Sequence, residues 1–127
     1  MELTAQLIIG LIAIIHIYIL WLEMFAWTTK APKVFKTLPK ELFPQTKTLA
    51  GNQGLYNGFL AAGLIWSLCI TNLDWKHNVA IFFLACVFVA GLYGAATAGK
   101  RILFVQAVPA AIALILLFLE NFVHPQL

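Results

Sequence analysis

The stretch LTAQLIIGLIAIIHIYILWL, residues 3–22, contains no charged side chain. About 20 such residues in an α-helix, rising roughly 1.5 Å each, cover the roughly 30 Å hydrocarbon core of a bilayer. The stretch therefore predicts a first transmembrane helix, and we expect this helix to continue to about residue 27.

The composition of the whole chain favours a membrane protein. Of its 127 residues, 62% are hydrophobic and 10% are charged, whereas about a quarter of the residues of soluble domains are charged. A soluble domain of this size has too little interior to hide so many apolar side chains. Counting the other charge-free stretches, we expect spans over residues 3–27, 49–73, 78–99 and 102–122. The predicted fold class is an all-α, polytopic bundle of four transmembrane helices in one domain, 1–127.

The connection between the first two spans, residues 28–48, holds five lysines and one glutamate, and the third turn adds Lys100 and Arg101. The positive-inside rule puts both basic segments in the cytosol and both termini outside, as in a multi-pass protein of the bacterial inner membrane. The loop favours a short interfacial helix broken near Pro39, with a solvated connector as the alternative. Because the basic residues form no stripe, we expect the lipid bilayer and no nucleic acid as a partner.

Two polar side chains, His16 and Glu23, lie on the predicted first span. Seven residues make close to two helical turns, so both side chains project from one face. An acidic group at the centre of a span costs about 2.5–3.5 kcal/mol and usually faces the bundle interior. Glu23 lies about 6 Å inside Trp27, so snorkelling to the interface is the alternative. For His16, a structural hydrogen bond and a titrating role both remain open.

The second span begins with a further polar group, within GNQGLYNGFLAAG from Gly51. Asn52 with Tyr56, and Gln53 with Asn57, are each one turn apart and form two adjacent polar rows. Because the second span begins where the first ends, these rows lie at nearly the depth of the first-span glutamate. The sequence therefore predicts a polar pocket beneath the cytosolic headgroups.

The third and fourth spans bring Tyr93 and Gln106, respectively, to a comparable depth. Pro109, close to Gln106, removes a backbone hydrogen bond that other groups must replace. The candidate ligand-binding or proton-coupling residues are therefore His16, Glu23, Asn52, Gln53, Tyr56, Asn57, Tyr93 and Gln106. A hydrogen-bonded plug that only fixes helix register is the structural alternative.

The outer side carries Asp74, His77 and His124. Two histidines and an aspartate without tight spacing make a weak metal signature, so we expect solvated turn residues and no metal site. The two cysteines, Cys69 and Cys86, lie in apolar runs without redox spacing. The sequence has no phosphate-binding glycine loop, dinucleotide fingerprint, HExxH or nucleophile elbow, and it predicts no cofactor.

Two segments carry a resemblance to a known family. The first, on the first span, contains His16, Ile19, Leu22, Glu23, Met24, Phe25 and Trp27, and the second is NQGLYNGFLAAGL from Asn52. With these motifs, essentially the whole chain resembles an uncharacterised bacterial family of short four-span membrane proteins, domain-of-unknown-function family 1304. The resemblance implies four helices and no particular activity. Small multidrug-resistance transporters are similar in size and in their first-helix glutamate, which is an analogy only.

Three function classes follow from the polar pocket. The first is binding or transport of a small amphipathic or cationic molecule, with Glu23 as counter-ion or proton acceptor. The second is a membrane-embedded enzyme acting on a lipid or quinone, with Glu23 and His16 as acid and base. The third is a structural or assembly protein without a ligand. Four short helices enclose little space, so a transport path would favour a homodimer.

Overall fold

A computed structural model describes residues 1–123, which form helices and turns without a strand. The predicted outer residue His124 lies outside this part of the chain. The helices are α1 (Leu3–Phe25), the single turn α2 (Ala31–Val34), α3 (Lys47–Cys69), α4 (Leu73–Thr97) and α5 (Val108–Val123).

The four long helices run alternately up and down. Helix α1 packs against α3 and α5, and α4 packs against the same two helices. We call the end that contains Phe25, Lys47 and Thr97 the loop end, and the end that contains Leu3 and Cys69 the terminal end. Small and branched apolar side chains fill the interior: Ala5, Ile9, Ile12, Ala13, Leu64, Ala80, Leu84, Val87, Ala110, Ala113 and Leu117.

Three of these helices are long and apolar enough to cross a membrane, namely Leu3–Phe25, Leu73–Thr97 and Leu103–Val123. This corrects the sequence prediction of four such spans. Helix α3 has 23 residues, which is sufficient length. It falls short in apolar character because the amides and glycines of NQGLYNG occupy its first half.

The loop between α1 and α3 folds back under the end of α1. After α2 the chain forms two short 3₁₀ turns, Lys40–Leu42 and Pro44–Thr46. The Trp27 ring lies 4.7 Å from the Phe43 ring, centroid to centroid, and its Nε1 donates to Thr46 Oγ1 at 3.0 Å. Phe43 is only 1% exposed. The loop is therefore a packed cap at the loop end, and its one α-helical turn precedes Pro39.

Helix α5 is preceded by a π-helical segment, Leu103–Ala107, in which Val108 N donates to the carbonyl of Leu103. Pro109 explains this segment, since proline donates no backbone hydrogen bond and its ring crowds the preceding turn. Gly91 of α4 lies against the segment, where an added Cβ would be 2.7 Å from Ala107 N. Glycine therefore permits the backbones to approach closely.

Candidate acid–amide site

The carboxylate of Glu23 lies between α1 and α3 and is hydrogen-bonded to an amide of α3. Asn57 Nδ2 donates to Glu23 Oε2 at 2.9 Å and to the backbone oxygen of Gln53 at 3.2 Å. Both hydrogens of the Asn57 amide are thus used, which fixes the side-chain orientation. Glu23 is 6% exposed. The glutamate therefore turns inward, towards the amide-bearing face of α3.

Two glycines of α3 bring the acid and the amide together. An added Cβ at Gly54 would lie 2.9 Å from Glu23 Cβ and 3.2 Å from the backbone oxygen of Leu20. At Gly58 it would lie 2.5 Å from Leu20 Cδ1. Small residues of this kind let membrane helices approach closely. The same polar segment that lowers the apolar character of α3 therefore creates its contact with α1.

The structure does not gather all the predicted polar residues around Glu23. Asn52, Gln53 and Tyr56 are exposed, and the ring of Tyr56 packs edge-on against Phe59, with the centroids 5.8 Å apart. Gln53 reaches the site only through its backbone oxygen. The exposed rows thus run along the outer side of α3, and Asn57 alone among these four side chains bonds the carboxylate.

The candidates on the other two helices also lie apart from the carboxylate. Tyr93 of α4 is 72% exposed. Gln106 is half-buried within the π-helical segment. Neither side chain is hydrogen-bonded to the carboxylate of Glu23 in the described structure.

His16 is fully buried, two turns deeper on the same helix. Its Nδ1 lies 2.8 Å from the carbonyl oxygen of Ile12, while its Nε2 has no hydrogen-bond partner. Seven residues correspond to roughly 10 Å of helix axis. His16 and Glu23 are therefore successive buried polar groups on α1, separated by more than hydrogen-bond distance.

No basic group in residues 1–123 forms a salt bridge with Glu23. The salt bridges in the described part of the chain involve a different glutamate, the half-buried Glu120, and no basic group there lies within 4.0 Å of the Glu23 carboxylate. Glu23 Oε1 has no hydrogen-bond partner either, and it is not among the fully enclosed atoms. One carboxylate oxygen is thus held by Asn57, and the other is unpaired and not fully enclosed.

A second buried polar cluster, at the terminal end, was missed by the sequence analysis. Glu120 Oε1 lies 2.6 Å from the amino group of Met1, and its Oε2 lies 3.3 Å from His77 Nε2. His77 also meets the carbonyl oxygen of Leu73 at 3.0 Å, and it is 5% exposed. The prediction of a solvated His77 was wrong, whereas Asp74 is exposed.

The signal for this cluster was present in the sequence. Glu120 is the one acidic residue in the last predicted span, and antiparallel packing places the end of that span beside the start of the third. The same end has a groove of about 420 Å³. Its lining is Trp66, Cys69, Ile70, Thr71, Asn72 and Trp75.

The apolar helices indicate a bilayer environment, and together with the buried acid–amide pair they define a helical membrane protein with a polar site between its first two long helices. Residues 10–118 match the family described as protein of unknown function, DUF1304, and the chain belongs to that family. This confirms the resemblance that the sequence motifs indicated.

One relative is the uncharacterized protein YpaA of Lactococcus lactis subsp. lactis (strain IL1403). It is 34% identical over 107 residues, which cover 83% of this chain and 88% of the relative. No solved structure matches the chain.

Proposed function

We propose that this protein binds a small amphipathic cation at Glu23, with the carboxylate as counter-ion and Asn57 as the group that orients it. The observation that carries the proposal is a 6%-exposed carboxylate, bonded by one amide, without a basic partner among the described residues. A buried carboxylate is stable when it is paired or neutralised, so this one has a preference for a cation or a proton.

The proposal includes a topology. The loop end faces the cytosol of a bacterial cell, because its exposed lysines favour that side, and both termini lie outside. Helix α3 crosses the membrane beside α1 as a fourth span, with its amides turned partly towards α1 and its exposed row towards the headgroups. Transport, as distinct from binding, would use a second copy of the chain, since one bundle of this size encloses little space.

Binding of tetraphenylphosphonium, an amphipathic cation, tests the proposal. The full chain in phosphatidylcholine nanodiscs is titrated by calorimetry as wild type, Glu23→Gln and Glu41→Gln. Glutamine keeps the size of the side chain and its bond to Asn57 but removes the charge. We expect Glu23→Gln to weaken binding at least tenfold and Glu41→Gln, in the exposed loop, to leave it unchanged. Equal affinity in all three proteins would refute a counter-ion at Glu23.

A structural role is the second candidate, and the close α1–α3 contact at Gly54 and Gly58 favours it. The acid–amide bond would then fix the register of the two helices and contribute about 0.6–2 kcal/mol. Three variants distinguish the structural role from cation binding: Glu23→Leu, Asn57→Leu and the double variant. In the structural case no variant or wild type binds the cation, and the double variant regains the stability that each single variant loses.

A further inference from the structure

His16 Nε2 is the one fully buried side-chain nitrogen or oxygen in residues 1–123 that has no hydrogen-bond partner. Its ring is oriented by Nδ1, 2.8 Å from the carbonyl oxygen of Ile12. A carbonyl oxygen only accepts, so Nδ1 carries a hydrogen and Nε2 of the neutral ring presents a lone pair. An unmatched acceptor in an apolar interior is unfavourable, and protonation would require a nearby negative charge.

The interior is apolar on the terminal side of His16. Ile9, Ile12, Leu64, Leu84 and Leu117 are each 0% exposed and belong to one packed cluster. Roughly 20 Å of helix axis separates His16 from the start of α1. This cluster therefore offers His16 no polar neighbour towards the terminal end.

The other buried polar groups on the neighbouring helices are already paired. On α3, Ser67 Oγ donates to the carbonyl oxygen of Leu64 at 2.6 Å. On α4 and α5, His77 and Glu120 meet each other at the terminal end. The lysines and the arginine are exposed or lie at the ends of the bundle.

Towards the loop end, the next buried titratable group on the same face of α1 is Glu23, roughly 10 Å away. Its carboxylate is also partly accessible, because Oε1 is not enclosed. Glu23 is therefore the acidic group closest to His16 along the helix face, and it lies between His16 and the loop end.

We propose that His16 Nε2 is a second proton-binding atom of the Glu23 site, and that a cation bound at Glu23 drives a proton off His16 towards the loop end. The coupling deepens the proposed function and depends on it for the cation. In the proton step the Nε2–H bond breaks, the proton passes to water at the loop end, and the imidazolium becomes neutral. The cation replaces the charge that His16 loses.

The size of the coupling follows from the separation. Two unit charges about 10 Å apart, at an effective dielectric constant of about 20, change each other's proton affinity by about tenfold. Removing the charge of Glu23, by substitution or by a bound cation, should therefore lower the proton affinity of His16 about tenfold.

The test is nitrogen NMR of the full chain with ¹⁵N-labelled histidine in phosphatidylcholine nanodiscs. In wild type we expect the Nδ1–H form of His16 at high pH and the imidazolium at low pH. In Glu23→Gln, the pH that gives a particular imidazolium fraction of His16 should be about one unit lower than in wild type. In Glu41→Gln this pH should equal that of wild type. A His16 signal that keeps one form throughout the titration, or titrates identically in Glu23→Gln, would overturn the proposal.

A second titration, with tetraphenylphosphonium at fixed pH, separates this proposal from the proposed function. Loss of the His16 imidazolium on adding the cation, in wild type but not in Glu23→Gln, supports both. Glu23-dependent binding that leaves the His16 signal unchanged overturns the coupling and retains the cation site. Absence of cation binding refutes both the proposed function and the cation-driven proton release. The pH titration then still shows whether His16 is a proton site linked to Glu23.

Discussion

Replacing Gly54 by alanine should push α1 and α3 apart at the acid–amide pair. The new Cβ would lie 2.9 Å from Glu23 Cβ, about 0.5 Å inside the 3.4 Å at which ordinary contact begins, and 3.2 Å from a backbone oxygen. Overpacking of this kind costs about 1–3 kcal/mol. Alanine also favours the helix by about 1 kcal/mol relative to glycine. We expect a net loss of about 0–2 kcal/mol.

Gly51 supplies the matched control, because a Cβ there meets nothing within 4 Å. Gly51→Ala gains the same helix propensity without the overlap, so the difference between the two variants isolates the packing cost. The assay is unfolding by dodecyl sulfate in mixed micelles, followed by circular dichroism. A Gly54→Ala protein as stable as Gly51→Ala would refute the close α1–α3 contact.

Three further substitutions test other parts of the fold. Phe43→Ala should cost about 3–5 kcal/mol and speed proteolysis of the loop, whereas the exposed Leu42 should tolerate alanine; equal cleavage would contradict the packed cap. Glu120→Gln should lower stability by about 1–3 kcal/mol, because it leaves the buried His77 without its carboxylate; an unchanged thermal midpoint would oppose this. Gly91→Ala should lower that midpoint through overlap with the π-helical segment, and a raised midpoint would count against the close approach.

The helical periodicity of the sequence indicated which face of α1 is buried. A separation of seven positions puts His16 and Glu23 on one helix face, and both are buried. The predicted depth of Glu23 in the membrane placed it near the amides of α3. Depth does not indicate which of these amides bonds the carboxylate. Which amide bonds Glu23 depends on the face of α3 that carries the glycines. Gly54 and Gly58 pack that face against α1, so Asn57 faces α1 and the neighbouring amides are exposed.

Other features depend on contacts that single-helix patterns do not encode. The pairing of His77 with Glu120 joins residues 43 positions apart. The similar lengths of the predicted spans also obscured the lower apolar character of α3, where only Asn57 of the polar rows bonds α1. The π-helical segment could be anticipated only as a local defect near Pro109, since its partner Gly91 lies on another helix.

The most direct test of the central claim is the reaction of the chain with dicyclohexylcarbodiimide, which modifies protonated carboxyl groups in apolar surroundings. Mass spectrometry of the labelled protein locates and counts the adduct, with and without tetraphenylphosphonium. We expect one adduct at Glu23 that the cation suppresses in a concentration-dependent way. An adduct at Glu23 that forms equally with the cation present, or no adduct at that residue, would contradict an accessible cation-binding carboxylate between α1 and α3.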